Sequence, residues 1–527
     1  MDLDGKNLIG GHASAMGTNT FVGYDPRHGT ELDPPFFEAT REEIDTALQL
    51  ADQAFYKFRI LSPEDNATFL KAILEGLNSL KDDLIERAAL ETGLNEEQLE
   101  AEFMRTLDQI RLFAHLLREG SWVDARIDHG EGDRKRRRKP DVRRMLIPIG
   151  PVAVFGASNF PFAFSVAGGD TISALAARNP VIVKSHPGHP GTSELTARAI
   201  IKAVEIYGLA DGVFSMLHGS NPEVGLALVR HPLTKAVAFT GSQRAGRALF
   251  DAATSRPDPI PVYAEMGSVN PIFILPGAMR EQPEKLAQGV FASVTLSVGQ
   301  FCTCPGLVIG REGSELLTFA ERLKRLFVQA STGPMLYTRL LRTYESSVGT
   351  LYRIPGVKLT QAAAGANRAG LEAVPALLET DGATFAQHAT LRKEVFGPST
   401  VLVKCDSQEA IHRVANLIEG SLTATLHANS DDLDRYRDLI LLLETKVGRL
   451  IFNGYPTGVE VCPAMHHGGP FPSTLDPKYT SVGTAAIHRF VRPICYQDFP
   501  QRALPPELQD PNSRKIWRLV DGQLTKA

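Results

Sequence analysis

The chain is poor in the residues that announce several protein classes. Only five cysteines, Cys302, Cys304, Cys405, Cys462 and Cys495, occur in 527 residues. So sparse and odd a set does not build a disulfide framework, and a cytoplasmic, reducing compartment with free thiols is expected. No run of about 18 apolar residues occurs, so no membrane span is expected. The opening stretch MDLDGKNLIGGHAS lacks a basic segment followed by an apolar one, so no secretory signal is expected either. The net charge is only −4, which gives no global attraction to nucleic acid or anionic lipid. The Gly-x-Gly-x-x-Gly dinucleotide fingerprint is missing, as are internal repeats and low-complexity linkers. One basic run, RKRRRK (Arg134 to Lys139), stands out. No aromatic residue interleaves it and DHGEGD just before it offsets its charge, so it reads as a solvated loop or subunit-contact segment.

What is present is ordinary globular material. The chain is 43% hydrophobic and 22% charged, and too long for one core, so two or three domains are expected. Residues 41–118 carry apolar positions at spacings of three and four, the pattern of amphipathic helices. The next stretch is the most regular. Short apolar runs PVAVF (151–155), PVIVK (180–184), GVFSML (212–217), KAVAF (235–239) and IPVYAE (260–265) alternate with helical patterns. That alternation predicts an α/β unit whose parallel sheet is covered on both faces. A second α/β pattern follows, with runs PIFIL (271–275), GLVIG (306–310), TVLVK (400–404), TATLH (423–427) and RLIFN (449–453). Residues 335–398 are harder to read, and TQAAAGANRAGLEAV suits helix or loop. The end of the chain gives one β-like run, AAIHRFVRPICYQ, and a polar tail.

In parallel sheets, ligands sit beyond the carboxyl ends of the strands. The residues placed there are polar: Asn159, Lys184, Gly219, then Thr240, Gly241 and Ser242, then Glu265. This clustering predicts one cofactor site. FTGSQRAG is a glycine-containing turn opening a helix, which suits a phosphate but is also a plain strand–helix turn. Glu265, ending an apolar strand, is either paired structurally or held as a general base. Asn159 is a turn residue or an oxyanion donor. Cys302 and Cys304, in GQFCTCPG, are a buried pair, a metal clip with His466 and His467, or include a nucleophile. A disulfide between cysteines two apart would be strained.

Taken together these residues resemble one family. FTGS, a Glu-Met-Gly segment, GQFCT 37 residues after that Glu, and EVFGP (394–398) fall in the order and spacing of the aldehyde dehydrogenase superfamily, from about residue 20 to 500. GPVAVFGASNFPFAFSVAGGDT, HPGTS, FNGYPTGVEV and HGGPFPS resemble the branch of NADP-dependent aldehyde dehydrogenases and 2,5-dioxovalerate dehydrogenases. The resemblance implies a Rossmann-type cofactor domain (1–120 and 147–268), a second α/β catalytic domain (269–470), a small β oligomerisation flap (121–146 and 471–500) and a tail (501–527). It implies a homodimer or homotetramer, with no metal, nucleic acid or membrane partner.

It also implies roles. Cys302 attacks the aldehyde, Asn159 and the Cys302 backbone N–H hold the oxyanion, and Glu265 activates water. Lys184, Thr240, Gly241, Ser242, Glu394 and Phe396 hold NADP or NAD. Phe160 lines the substrate tunnel and His467 lies near the active site. The expected substrate is a semialdehyde, 2,5-dioxovalerate, which would need a cation in the tunnel; Arg111 is the candidate. Broad-range aldehyde oxidation is the alternative within the class. A cysteine acyltransferase or amidase is the alternative outside it, for which the sequence offers no clear histidine base. Two departures matter. Cys304 stands where this branch often carries Lys, and a reversible bond to Cys302 is one expectation. Pro187 and Pro222 stand where NADP-preferring relatives hold the 2′-phosphate, so cofactor preference stays open.

Overall fold

Short β-branched runs between glycine and polar turns become strands because both of their faces are buried. In the computed structural model, which describes residues 3–131, 139–362 and 370–527, the first five runs form strands Val152–Phe155, Val181–Lys184, Phe214–Leu217, Ala236–Thr240 and Val262–Glu265. Their spatial order is Val262–Glu265, Ala236–Thr240, Val152–Phe155, Val181–Lys184, Phe214–Leu217, all parallel. An antiparallel hairpin, Asn7–Ile9 with His12–Ser14, extends the far edge. The chain moves outward from Val152–Phe155 in one direction, then returns to its other side with Ala236–Thr240. The boundary between those two strands is therefore the switch point where a crevice must open.

Helices cover both faces. Pro63–Ser79, Lys81–Thr92, Glu96–Glu119, Gly169–Ala176 and Pro190–Ile206 bury one set of apolar side chains. Arg41–Phe58, Pro222–Arg230 and Gln243–Thr254 bury the other.

The second α/β pattern makes a seven-stranded sheet in the order Lys358–Gln361, Ala376–Asp381, Ser399–Cys405, Leu307–Arg311, Ile272–Ile274, Ser421–His427, Val447–Phe452. Only the edge strand Lys358–Gln361 runs antiparallel. The ambiguous segment around 360–374 holds that strand and the short Glu372–Ala373 strand; residues 363–369 between them lie outside the described residues. RKRRRK, except Lys139, lies outside them as well.

A third sheet runs Val491–Gln497, Val142–Pro148, Arg126–Asp128, Arg518–Val520, Gln523–Thr525. The stretch read as a polar tail thus supplies two of its strands. Asp521 and Gly522, both at positive φ, turn the chain between them. An Asp-Gly pair is a strong hairpin signal, and it outweighs the short polar flanks that made the segment look like a tail. Among the described residues, no helix is long and apolar enough to cross a membrane.

Candidate active site

The strand carrying Glu265 ends at the switch point, and its last residue pairs in register with Thr240. The Gly241 N–H donates to the Glu265 carbonyl at 3.0 Å. Met266 N donates to Ser473 O at 2.7 Å, tying the same strand end to the C-terminal region that also delivers His467. The outcome is an array of three side chains, two of them buried. His467 Nδ1 lies 2.7 Å from Glu265 Oε1, and His467 Nε2 lies 3.8 Å from Cys302 Sγ. Glu265 is 7% exposed and His467 3%.

Burial by itself drives an imidazole toward its neutral form. Here the Glu265 carboxylate and the Cys302 sulfur more than offset that and hold the His467 pKa up to about 10. His467 is thus an imidazolium between an acid and a sulfur. The other Glu265 oxygen, Oε2, is buried with no hydrogen-bond partner among the described residues.

The segment before Cys302 is wound tightly. Ser297, Val298 and Gly299 all have positive φ, at 50°, 57° and 65°. Such backbone is costly for a β-branched residue like Val298 and persists only where surroundings over-determine it. At Gly299 a Cβ would lie 2.3 Å from the Gly397 backbone, so only glycine fits. Gln300 braces the turn: its amide N donates to Ser297 O (3.2 Å) and Pro334 O (3.3 Å), and its Oε1 accepts from Leu336 N (3.0 Å). Asn270 holds the other side, donating to the carbonyls of Cys302 (2.8 Å) and Cys304 (3.0 Å). Asn159 Nδ2 donates to Gln300 O at 2.9 Å, leaving its second hydrogen available beside Cys302.

Cys304 faces away from this array. Its thiol donates weakly to Val294 O (3.7 Å) and Gly397 O (3.9 Å), while Cys302 faces His467. Burial, with the Glu394 charge, pushes the Cys304 thiol well above its usual range, so it stays a thiol and fills space. Among the described residues, no group of three or more His, Cys, Asp or Glu is arranged to hold a metal ion.

On the far side of the switch point, Ser242 caps the open end of helix Gln243–Thr254, accepting from Ala245 N at 3.3 Å. Gly246 allows that helix to lie on Met266, whose sulfur would sit 2.7 Å from a Cβ there. The Lys184 ammonium bonds the Gly219 carbonyl, and burial lowers its pKa to about 8. A helix N-terminus, a lysine and a glycine-walled turn at one switch point fit the diphosphate and ribose of a dinucleotide.

A profile of the aldehyde dehydrogenase family matches residues 15–492. The chain belongs to the aldehyde dehydrogenase family. It is 46% identical to alpha-ketoglutaric semialdehyde dehydrogenase 2 of Azospirillum brasilense, over 99% of this chain and 100% of that protein. It is 43% identical to alpha-ketoglutaric semialdehyde dehydrogenase of Acinetobacter baylyi, over 99% of both. The fold is shared with Escherichia coli lactaldehyde dehydrogenase at a TM-score of 0.80 and 20% identity, covering 93% of this chain and 98% of that one.

This aldehyde dehydrogenase takes NAD or NADP, and when bound the dinucleotide supplies the hydride acceptor. Glu394 of EVFGP packs on the loop after Glu265: a Cβ on Gly267 would lie 2.2 Å from Glu394 Oε2. Burial raises the Glu394 pKa to about 7, against the bond from Ser268 N. Phe396, two residues on, is partly buried. Phe160 stacks edge-on against Phe164 (5.4 Å) and Phe301 (5.3 Å), in an apolar cluster with Val459, Val461 and Met465.

Arg111 does not join them. It is half-exposed and paired with Asp108 at 2.6 Å on the outer face of helix Glu96–Glu119. Two residues of the same helix that the sequence reading passed over, Glu102 and Arg105, do face the site. Glu102 accepts from Phe162 N and Ala163 N, both at 2.8 Å, and so holds the loop that follows Asn159. Asn270 was passed over too. The one available signal was its position in MGSVN, directly after the Glu265 strand.

Proposed function

We propose that this aldehyde dehydrogenase oxidises 2,5-dioxovalerate to 2-oxoglutarate. The carrying observation is the Cys302–His467–Glu265 array, with Asn159 bonded to the Gln300 carbonyl two residues before Cys302. The full-length likeness to two alpha-ketoglutaric semialdehyde dehydrogenases supports the substrate.

The geometry supports the following roles. Cys302, whose sulfur faces His467 Nε2 at 3.8 Å, adds to the aldehyde carbon as the nucleophile. The second Asn159 amide hydrogen and the Cys302 backbone N–H would hold the oxygen that becomes charged. Removing the amide, in Asn159→Ala, is expected to lower kcat by about 10²–10³. Cys302 then carries the oxidised carbon as a thioester. Glu265, held by His467, then accepts the proton of the water that attacks the thioester. Hydrolysis returns the carboxylic acid and the free sulfur. Lys184, Ser242 and the helix it caps would hold the dinucleotide's ribose and diphosphate, Thr240 and Gly241 would lie under its nicotinamide end, and Glu394 and Phe396 would flank the second ribose.

A cysteine acyltransferase would use the same three groups but has no use for the dinucleotide crevice. The open edge strands of two sheets support a homodimer or homotetramer, and the nucleophilic Cys302, which needs a reducing compartment, supports the cytoplasm. The test is reduced-cofactor formation with NAD+ and NADP+ over 2,5-dioxovalerate, succinate semialdehyde and uncharged long-chain aldehydes. Highest kcat/KM with 2,5-dioxovalerate is expected. A preference for uncharged chains would overturn the substrate, and no turnover of any aldehyde would overturn the reaction.

A further inference from the structure

Helix Glu96–Glu119 turns the face bearing Glu102, Arg105 and Gln109 toward the loop that follows Asn159. Arg111, six residues beyond Arg105, is rotated about 240° away on a helix of 3.6 residues per turn. The Arg105 guanidinium carbon lies over the Phe164 ring, 5.3 Å from its centroid. The Phe164 ring is 6.1 Å from the His467 ring, and His467 contacts Cys302. Phe160 and Phe301 complete the same wall. The side chains therefore run from the Cys302 sulfur, past aromatic rings, to the Arg105 guanidinium.

That guanidinium is unspent. Arg105 Nε is buried without a hydrogen-bond partner among the described residues. Glu102, the nearest acid on its own helix, has its carboxyl turned to the Phe162 and Ala163 amides, and burial raises its pKa to about 7, so it compensates the arginine poorly. A second arginine near Cys302, Arg449, is already committed: it donates to Gly458 O (3.1 Å) and Pro456 O (2.8 Å).

We propose that Arg105 binds the carboxylate at the far end of an oxo-acid substrate, and so selects short aldehydes that end in a carboxylate over neutral aldehydes of equal length. This deepens the semialdehyde reading and rests on it. A planar guanidinium pairs with a carboxylate through two parallel hydrogen bonds, and beside the Phe164 ring that pair is less screened than in water. Burial lowers the Arg105 pKa, but a guanidinium keeps its charge, which the acids Glu265 and Glu460 favour.

The test compares 2,5-dioxovalerate with pentanal, a neutral aldehyde of the same length, in the wild type, Arg105→Met and Arg105→Lys. Arg105→Met is expected to lose about 10–100-fold in kcat/KM for 2,5-dioxovalerate, mostly in KM, and to keep its pentanal activity. Arg105→Lys recovers part of the loss. Pentanal turnover and the thermal unfolding midpoint report that the variants fold. An equal fall with both substrates means a structural arginine and overturns the proposal, as does no fall with either. A wild type that itself favours pentanal overturns the semialdehyde reading; a wild type that favours 2,5-dioxovalerate while Arg105→Met keeps that preference overturns only the role of Arg105.

Discussion

Two cysteines separated by one threonine have opposite chemistry here because their side chains meet different surroundings. Cys302 meets an imidazolium, while Cys304 meets two backbone carbonyls. A reversible bond between them is not what this geometry favours: the Cys304 thiol is turned into the protein, and its pKa is driven up by burial and the Glu394 charge. Cys304→Ser is expected to retain kcat/KM while costing about 1–2 kcal/mol of stability, the penalty for burying a hydroxyl that only partly replaces the thiol's contacts. Cys302→Ser abolishes turnover. Steady-state rates with urea unfolding of both variants check the contrast, and loss of activity in Cys304→Ser would return that residue to the chemistry.

Helix Glu96–Glu119 and the strand ends it faces carry the site's tuning. Burial raises the Glu102 pKa from 4.5 to about 7, despite the amides of Phe162 and Ala163 and the charge of Arg105. For a carboxyl whose folded pKa is raised, stability is fully present below its ordinary pKa and is lost as pH rises through the folded one. Unfolding midpoints are therefore expected to fall between about pH 5 and pH 8, and Glu102→Gln, which cannot ionise, should flatten that fall. An unchanged slope in the variant would remove Glu102 as its source. At the other end of the sheet, Glu38 receives Ser220 N (2.9 Å) and Asn221 Nδ2 (2.6 Å), one residue short of Pro222. Burial would raise this carboxyl, but those bonds and the charge of Lys184 hold it below its usual range. An anion at this place repels a 2′-phosphate. NAD+ is expected to be preferred, and Glu38→Ser to raise kcat/KM for NADP+ by about 10-fold, the effect of about 1.4 kcal/mol. Equal use of both cofactors by the parent would argue against it.

Two sheets end in open strands. Val447–Phe452 closes the second sheet with no further strand paired to it among the described residues, and it exposes Leu450 (38%) and Phe452 (54%). Val491–Gln497 is the free edge of the third sheet. Exposed apolar edges are liabilities that assembly removes. Phe452→Asp is expected to shift the protein toward a smaller species in light scattering after size exclusion; an unchanged mass would place the interface elsewhere.

The amino-acid sequence by itself determined the strand-and-helix order of both α/β units, because short apolar runs buried on two faces have no other stable use. It also placed Asn159, Lys184, Ser242 and Glu265 at strand ends, because a parallel sheet leaves only its carboxyl edge for polar function. Motif spacing brought Cys302 and Glu265 into one reading. Tertiary structure alone decided that His467, 165 residues beyond Cys302, stands between sulfur and carboxylate, since packing of distant segments leaves no local periodicity to read. It likewise decided that Arg105 rather than Arg111 lies over the Phe164 ring beside His467. Both arginines sit in the same amphipathic helix, and only the loop docked on it by Glu102 fixes which side is inward.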